Sequence, residues 1–123
     1  MANPPAAFDG VRVVDFTTGV AGSLATMHLA DFGAAVTRVL PPGYDTVKAH
    51  AGSVRWDLAK HRLDADIRTA VGRKAALDLV AVADVVAVDG GPAALASIGL
   101  DYETLAPINR KLLHAWMPPY GTT

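Results

Sequence analysis

Short segments rich in β-branched residues alternate along this chain with segments that have the composition of helices. The pattern predicts strands over residues 11–16, 35–40, 63–67, 84–88 and 112–117, and helices over residues 23–32, 70–83, 92–97 and 101–106. Such alternation favours right-handed βαβ units, which build a parallel sheet with helices on both faces. We therefore predict an α/β, Rossmann-like fold, with a long loop over residues 41–59 where no period is visible.

The composition is that of one small globular domain. The chain has 123 residues, 51% of them hydrophobic, so it can bury a core of its own. It has no cysteine, which excludes disulfides, thiolate metal ligands and a catalytic thiol. Its apolar runs end well before the roughly 18 residues of a membrane-spanning helix, and its first residues lack the pattern of a signal peptide. We expect a single domain over residues 1–123, cytoplasmic and without membrane contact.

The net charge of −1 conceals an uneven distribution. Residues 38–74 hold eight of the eleven basic residues and four acids, a local charge of +4, whereas the rest of the chain sums to −5. A basic stretch of this kind is consistent with phosphates, an acidic partner or nucleic acid as ligands, and also with a solvated charged face. Aromatic residues do not alternate with the basic ones, so we predict no nucleic-acid partner.

Three predicted strands end in segments suited to ligand binding, because ligands of parallel sheets lie at the carboxyl ends of strands. These segments are rich in Gly, Pro, Thr or Asp and span residues 15–23, 38–43 and 88–92. In the first, backbone N–H groups at a helix start favour an anion or a carbonyl oxygen, although capping alone would also explain the residues. The segment has neither the G-x-G-x-x-G nor the P-loop pattern, so NAD and ATP are not indicated.

Two basic positions are candidate phosphate contacts. Arg38 ends the second strand, where a guanidinium can stack on adenine or bind phosphate. Lys60, His61 and Arg62 are consecutive and near enough in sequence to share one phosphate group. The alternatives to phosphate binding are that Arg38 is an ordinary arginine at the edge of the sheet and that residues 60–62 form a solvated basic turn. The histidines lack metal-ligand spacing, and Asp15 fits a turn cap better than a catalytic carboxylate, so we predict no metal and no catalytic residue here.

Several short motifs follow one another along nearly the whole chain. They are Gly10-Val-Arg-Val-Val-Asp-Phe-Thr17, Ala21-Gly22, Leu29-Ala-Asp-Phe-Gly-Ala-Ala-Val-Thr-Arg-Val39, Pro41-Pro42-Gly43, Ala83-Asp-Val-Val86, Gly99-Leu-Asp-Tyr-Glu103 and Ile108-Asn-Arg-Lys-Leu-Leu-His-Ala115. In this order and at these spacings they resemble the amino-terminal part of the class III CoA-transferases. That family also contains the α-methylacyl-CoA racemases.

The resemblance implies a site for coenzyme A, with an acyl-CoA and a carboxylic acid as ligands. By matching position, the residues that contact CoA are Thr17, Thr18, Gly19, Val20, Ala21, Arg38 and Lys60. The family's usual Asn-x-x-Lys-Arg-Ser stretch reads Asp57-Leu-Ala-Lys60-His61-Arg62 here and keeps only the lysine.

By the family pattern, the nucleophilic aspartate of the transferases and the acid–base pair of the racemases lie beyond Thr123. The family also completes its sheet with a distant part of the chain, in interlocked dimers. We therefore expect a fold that is incomplete relative to the full family fold, inactive alone, and completed in a homodimer or by a complementing chain. Three functions stay open: the CoA-binding part of a transferase or racemase-like protein, a non-catalytic binding or assembly module with a decayed CoA site, and a response-regulator-like domain.

Overall fold

A computed structural model describes residues 3–121, which form a five-stranded parallel sheet with helices on both faces. In chain order the elements are β1 (Arg12–Asp15), α1 (Val20–Asp31), β2 (Ala35–Leu40), α2 (Thr46–Ala49), α3 (Ser53–Trp56), β3 (His61–Asp64), α4 (Ala70–Ala81), β4 (Val85–Val88), α5 (Pro92–Ser97), α6 (Tyr102–Leu105) and β5 (Leu113–Trp116). The strand order is β3-β2-β1-β4-β5, and every neighbouring pair is parallel. The predicted α/β class is confirmed.

Neighbouring residues of the central strand β1 pack into two different cores, because side chains alternate between the faces of a strand. Val13 forms a small cluster with Val36 of β2, and Leu29 of α1 packs against it. Val14 belongs to the larger cluster on the other face, to which Val80 of α4 contributes. The sheet is thus covered by α1 on one face and by α4, α5 and α6 on the other.

Local contacts explain where the two long helices end and which side of α4 is exposed. Gly33 follows the end of α1 with a φ of +106°, a conformation that favours glycine. Lys74 and Asp78 form an ion pair on the exposed side of α4, with 2.8 Å between Nζ and Oδ2. Arg73, which does not fit the apolar pattern of α4, donates a hydrogen bond to the carbonyl of Ile98 and so caps the end of α5.

Three predicted boundaries are wrong. Helix α1 begins at Val20, three residues before the predicted start, because Gly19 is extended and already serves as the N-cap residue. Strand β3 spans His61–Asp64 rather than residues 63–67, and it pairs with residues 37–40 of β2. It lies at the edge of the sheet and has few apolar residues, so the sequence pattern did not locate it. The predicted loop 41–59 contains α2 and α3, each too short to show a helical period.

The strand order places a crevice beside the end of β1. After β1 the chain builds β2 and β3 on one side of the sheet and then returns to build β4 and β5 on the other. The chain therefore leaves β1 towards the helix on one face of the sheet and leaves β4 towards a helix on the other face. Ligands of open parallel sheets bind where the strand order reverses in this way. Within the described residues, no helix has the length and apolar character needed to cross a membrane.

Candidate functional site

The loop after β1, formed by Thr17, Thr18 and Gly19 and called here the first loop, donates its N–H groups to carboxylates of the chain itself. The Thr17 N–H donates to Oδ1 of Asp15 at 2.8 Å. The N–H groups of Thr18 and Gly19 donate to Oδ2 of Asp89 at 2.9 and 2.7 Å. Asp89, which follows β4, therefore occupies the position in which the sequence predicts an anion.

The carbonyl groups of the first loop are engaged as well. Nη2 of Arg38 lies 3.4 Å from the Thr17 oxygen, and Nε2 of His50 lies 3.1 Å from the Thr18 oxygen. The Gly19 carbonyl accepts from the N–H of Ser23 in the first turn of α1. Groups from β2, from the α2–α3 connection and from α1 therefore fix the loop, which makes it a rigid platform rather than a flexible turn.

Four charged side chains form a cluster behind the first loop, called here the charge cluster: Asp15, Arg38, Asp57 and Lys60. Nη1 of Arg38 lies 2.5 Å from Oδ1 of Asp57, and Nζ of Lys60 lies 3.3 Å from the same oxygen and 3.4 Å from Oδ2 of Asp15. The side chains of Arg38 and Lys60 are 4% and 1% exposed. Two positive and two negative charges balance, as burial of ionised groups requires.

Asp15 is the innermost member of the charge cluster and is completely buried. It accepts hydrogen bonds from the hydroxyls of Thr17 and Thr26, both at 2.6 Å, in addition to the Thr17 N–H. Thr26 lies on α1, so the carboxylate ties the end of β1 to that helix. The predicted turn-capping role of Asp15 is confirmed.

Three buried side-chain atoms have no hydrogen-bond partner within residues 3–121: Oγ of Ser23, Nε of Arg38 and Oγ of Ser53. All three residues touch the charge cluster. Lys60 donates to the Ser23 carbonyl, and the N–H of Asp57 donates to the Ser53 carbonyl. Unsatisfied buried polar atoms are uncommon in folded proteins, so their concentration beside the charge cluster distinguishes this region from the rest of the core.

Six of the seven predicted CoA-binding residues line two cavities, and Thr17 lines neither of the two. One has a volume of about 330 Å³ and is lined by Thr18, Gly19, Val20, Ala21, Gly22, Asp89, Gly90, Met117 and Pro119. The other, called here the cation cavity, has a volume of about 170 Å³ and is lined by Arg38, Leu40, Thr46, Asp57, Lys60, His61 and Arg62. Thr17 is buried, and its carbonyl meets Arg38.

In the described part of the chain, no group of three or more His, Asp or Glu residues is arranged to hold a metal ion.

The basic stretch of the sequence is largely paired with acids. Six of its eight basic residues form ion pairs with aspartates: Arg38, Arg55, Lys60, Arg62, Arg68 and Lys74. Where these pairs lie at the surface, as at Asp31, the hydrogen bond from Arg55 lowers the pKa of the carboxyl. The stretch is therefore a set of local pairs and not a free positive patch.

The consecutive residues Lys60, His61 and Arg62 all line the cation cavity, but their charged ends are not free to share a phosphate. Nζ of Lys60 contacts Asp57, whereas Nε of Arg62 donates to Asp64 at 2.7 Å. Lys60 precedes β3 and Arg62 lies on it, and each of these two cations is held by an aspartate of its own.

Three residues of the site had no predicted role: His50, Asp57 and Asp89. Asp89 directly follows a buried strand at the ligand-binding edge of the sheet, and Asp57 precedes Lys60 by three residues, so both had a signal in the sequence. His50 had none, because its position depends on α2 and α3. Its ring packs near that of Trp56, with 6.2 Å between the ring centres.

Residues 8–123 match the family model of CoA-transferase family III, and the chain belongs to this family. It is 30% identical to acetyl-CoA:oxalate CoA-transferase of Acetobacter aceti, covering 99% of this chain and 34% of that enzyme. It is 33% identical to the probable fatty acyl-CoA transferase Rv3272 of Mycobacterium tuberculosis, covering 98% of this chain and 33% of that protein.

Solved structures agree with this membership. A crystal structure of Rv3272 from M. tuberculosis superposes with a TM-score of 0.87 at 32% identity, covering 98% of this chain and 36% of that one. A CAIB/BAIF family protein from Brucella suis superposes with a TM-score of 0.80 at 31% identity, covering 92% of this chain and 33% of that one. The chain spans about a third of the length of these relatives, and its matched part corresponds to their amino-terminal portion.

Proposed function

We propose that this chain is the CoA-binding, amino-terminal part of a family III CoA-transferase, which moves CoA from an acyl-CoA to a carboxylic acid. The observation that carries the proposal is the meeting of Arg38 and Lys60 on one carboxylate oxygen directly behind the first loop. One cation lies on β2 and the other just before β3, and two cations that meet beside the end of β1 in this way can hold a phosphate. Membership of CoA-transferase family III supports CoA as the source of that phosphate.

In this proposal the chain binds and orients CoA but does not carry out the chemistry. Arg38 and Lys60 bind phosphate through charge-assisted hydrogen bonds. The exposed residues Thr18, Val20 and Ala21 line the neighbouring cavity, against which the less polar part of the ligand lies. The carboxylate that takes the acyl group comes from outside residues 1–123. Racemisation of an acyl-CoA, the other chemistry suggested by the resemblance, would require the same binding site.

Calorimetric titration with CoA tests the proposal. We expect binding to the unmodified chain and weaker binding after Arg38→Ala or Lys60→Ala, because each change removes a phosphate contact worth about 1.5–3 kcal/mol. Lys74→Ala is the matched control, since it removes an exposed lysine on α4. Because each site variant leaves an aspartate of the charge cluster less compensated, melting curves must show that the protein is folded at the temperature of the titration. Equal affinities for Arg38→Ala and Lys74→Ala would contradict the proposal.

A second candidate function is a non-catalytic binding or assembly module. Two carboxylates of the chain itself favour it, because they bind groups that CoA would use: Asp57 pairs with Arg38, and Asp89 accepts from the Gly19 N–H. The same titration separates the two functions. Absence of CoA binding at millimolar concentration, with a folded protein, would favour the module.

We also propose that a second copy or a complementing chain covers the outer edge of β5. A cavity of about 410 Å³ lies between α5, α6 and β5 on one face of the sheet, and Tyr102 in its lining is 51% exposed. Leu113 of β5 lies on the other face and is 59% exposed. Strand β5 has no further neighbour within the described residues, and it carries no acidic or basic residue apart from His114. An unprotected strand edge of this kind readily pairs with another chain.

Light scattering after size-exclusion chromatography tests this pairing. We expect the apparent mass to rise with protein concentration and Leu113→Lys to reduce the rise, because a charged edge strand resists pairing. Val71→Lys is the control, since Val71 lies on α4 and is 85% exposed. A monomer at high concentration that unfolds cooperatively would count against the proposal.

A further inference from the structure

Asp57 holds two buried cations with a single oxygen. Its Oδ1 lies 2.5 Å from Nη1 of Arg38 and 3.3 Å from Nζ of Lys60. The Asp57 side chain is 22% exposed, whereas the side chains of Arg38 and Lys60 are almost inaccessible. Asp57 is therefore the member of the charge cluster that solvent, and a ligand in solution, reaches most easily.

An oxygen shared by a guanidinium and an ammonium group is also the contact that a bound phosphate makes. A carboxylate in that position competes with a phosphate for the same donors and repels its charge. With Asp57 in place, the charge cluster is neutral; without this carboxylate, it has a charge of +1. Nη1 of Arg38, which is held by Asp57, is the donor that displacement of the carboxylate frees.

We propose that Asp57 sets the phosphate affinity of the cation cavity: it holds Arg38 and Lys60 in the absence of ligand, and a phosphate group binds by displacing it. The inference rests on the proposed function and extends it, because it names the residue that opposes binding and the chemical group that overcomes it. Asp57 is a specificity-determining residue in this scheme, since ligands without a phosphate gain nothing from its displacement.

Asp57→Asn is the test variant. It keeps an oxygen acceptor for Arg38 while removing the charge, so we expect CoA to bind on the order of tenfold more tightly than to the unmodified chain. Asp57→Ser removes the same charge with a smaller side chain and serves if the asparagine variant does not fold. Asp78→Asn on α4 changes the net charge equally at an exposed site away from the cavity, and we expect no change in affinity.

Pantetheine, which lacks phosphate, is the ligand control, and inorganic pyrophosphate is a second phosphate probe. We expect Asp57→Asn to bind pantetheine no better than the unmodified chain, but to gain more in melting temperature from pyrophosphate. An equal gain for pantetheine would overturn the inference, and so would unchanged or weaker CoA binding by Asp57→Asn if the unmodified chain binds CoA.

The melting temperature with pyrophosphate shows whether Asp57 opposes phosphate binding, independently of whether the chain binds CoA. If the unmodified chain binds CoA but Asp57→Asn gains nothing with either phosphate probe, the inference fails and the proposed function stands. If no variant binds CoA but pyrophosphate stabilises Asp57→Asn more than the unmodified chain, the proposed function fails and the inference stands. If neither ligand has any effect, both fail.

Discussion

Replacing Asp15 with alanine is expected to remove most of the stability of the fold. The variant takes away four hydrogen-bonding contacts at a fully buried position and leaves the Lys60 ammonium with only Asp57 as a charged partner. Breaking a buried ion pair in this way costs about 3–5 kcal/mol. Small domains have about 5–15 kcal/mol in total, so a large fraction of the Asp15→Ala protein is expected to unfold in mild denaturant.

Urea unfolding followed by circular dichroism measures this loss, and a double-mutant cycle identifies its cause. Asp15→Asn with Lys60→Met removes both charges and should be more stable than the sum of the single changes indicates, since neither charge is then buried alone. Asp78→Ala, which breaks the exposed pair with Lys74, should leave the midpoint unchanged. Similar losses for Asp15→Ala and Asp78→Ala would contradict the assigned role of Asp15.

Gly72→Ala is expected to destabilise the protein, although alanine is ordinarily about 1 kcal/mol more favourable than glycine inside a helix. Gly72 lies in the first turn of α4, where an added Cβ would collide with the backbone carbonyl oxygen of Asp66 and come within 2.8 Å of its nitrogen. A side chain could rotate away from the added Cβ, whereas the backbone of Asp66 can move only if the turn changes its conformation. The turn from Asp66 to Thr69 would have to open, and the Thr69 hydroxyl that caps α4 would move with it.

We expect a net loss of about 2 kcal/mol, the scale of overpacking in a core, which lowers the melting temperature by roughly 8 °C in a domain of this size. Gly91→Ala is the control. Gly91 is the N-cap residue of α5 with a φ of −78°, and an added Cβ there meets nothing within 4 Å. Scanning calorimetry of both variants should show a large shift for Gly72→Ala and almost none for Gly91→Ala. A stabilised Gly72→Ala protein would show that the Asp66 turn relaxes freely.

The sheet could be predicted from the sequence because its central strands are buried on both faces. Strand β4 is a continuous apolar run, Val85–Val88, whereas β1 and β2 combine β-branched residues with Arg12, Asp15 and Arg38. A turn that contains glycine follows each of the three strands. Edge strand β3 was misplaced because its residues are mostly charged, and the pairing with β2 that defines it is a long-range contact. Helices α2 and α3 are single turns, which depend on local capping such as that by Asp45 and leave no periodic trace.

The sequence analysis named Arg38 and Lys60 as candidate CoA contacts, and that role stays a prediction. The structure places the two side chains on one oxygen of Asp57. The identity of their partners was not visible. Asp15, which lies 45 positions before Lys60, contacts it only once the sheet has formed. Sequence therefore indicates which charges lie near an edge, and only the folded chain shows which of them neutralise one another.

The sequence separation of the contacts around the crevice has a consequence for the order of folding. The contacts of the charge cluster span up to 45 positions, within the segment that builds β1, β2 and β3. The hydrogen bonds of Asp89 with Thr18 and Gly19 close 71 and 70 positions. Bringing together residues that are far apart in sequence costs more chain entropy, and this cost precedes the stabilising contacts. Contacts between residues far apart in sequence therefore tend to form late in folding. We therefore expect the segment that holds Arg38 and Lys60 to assemble before the far wall of the crevice is added.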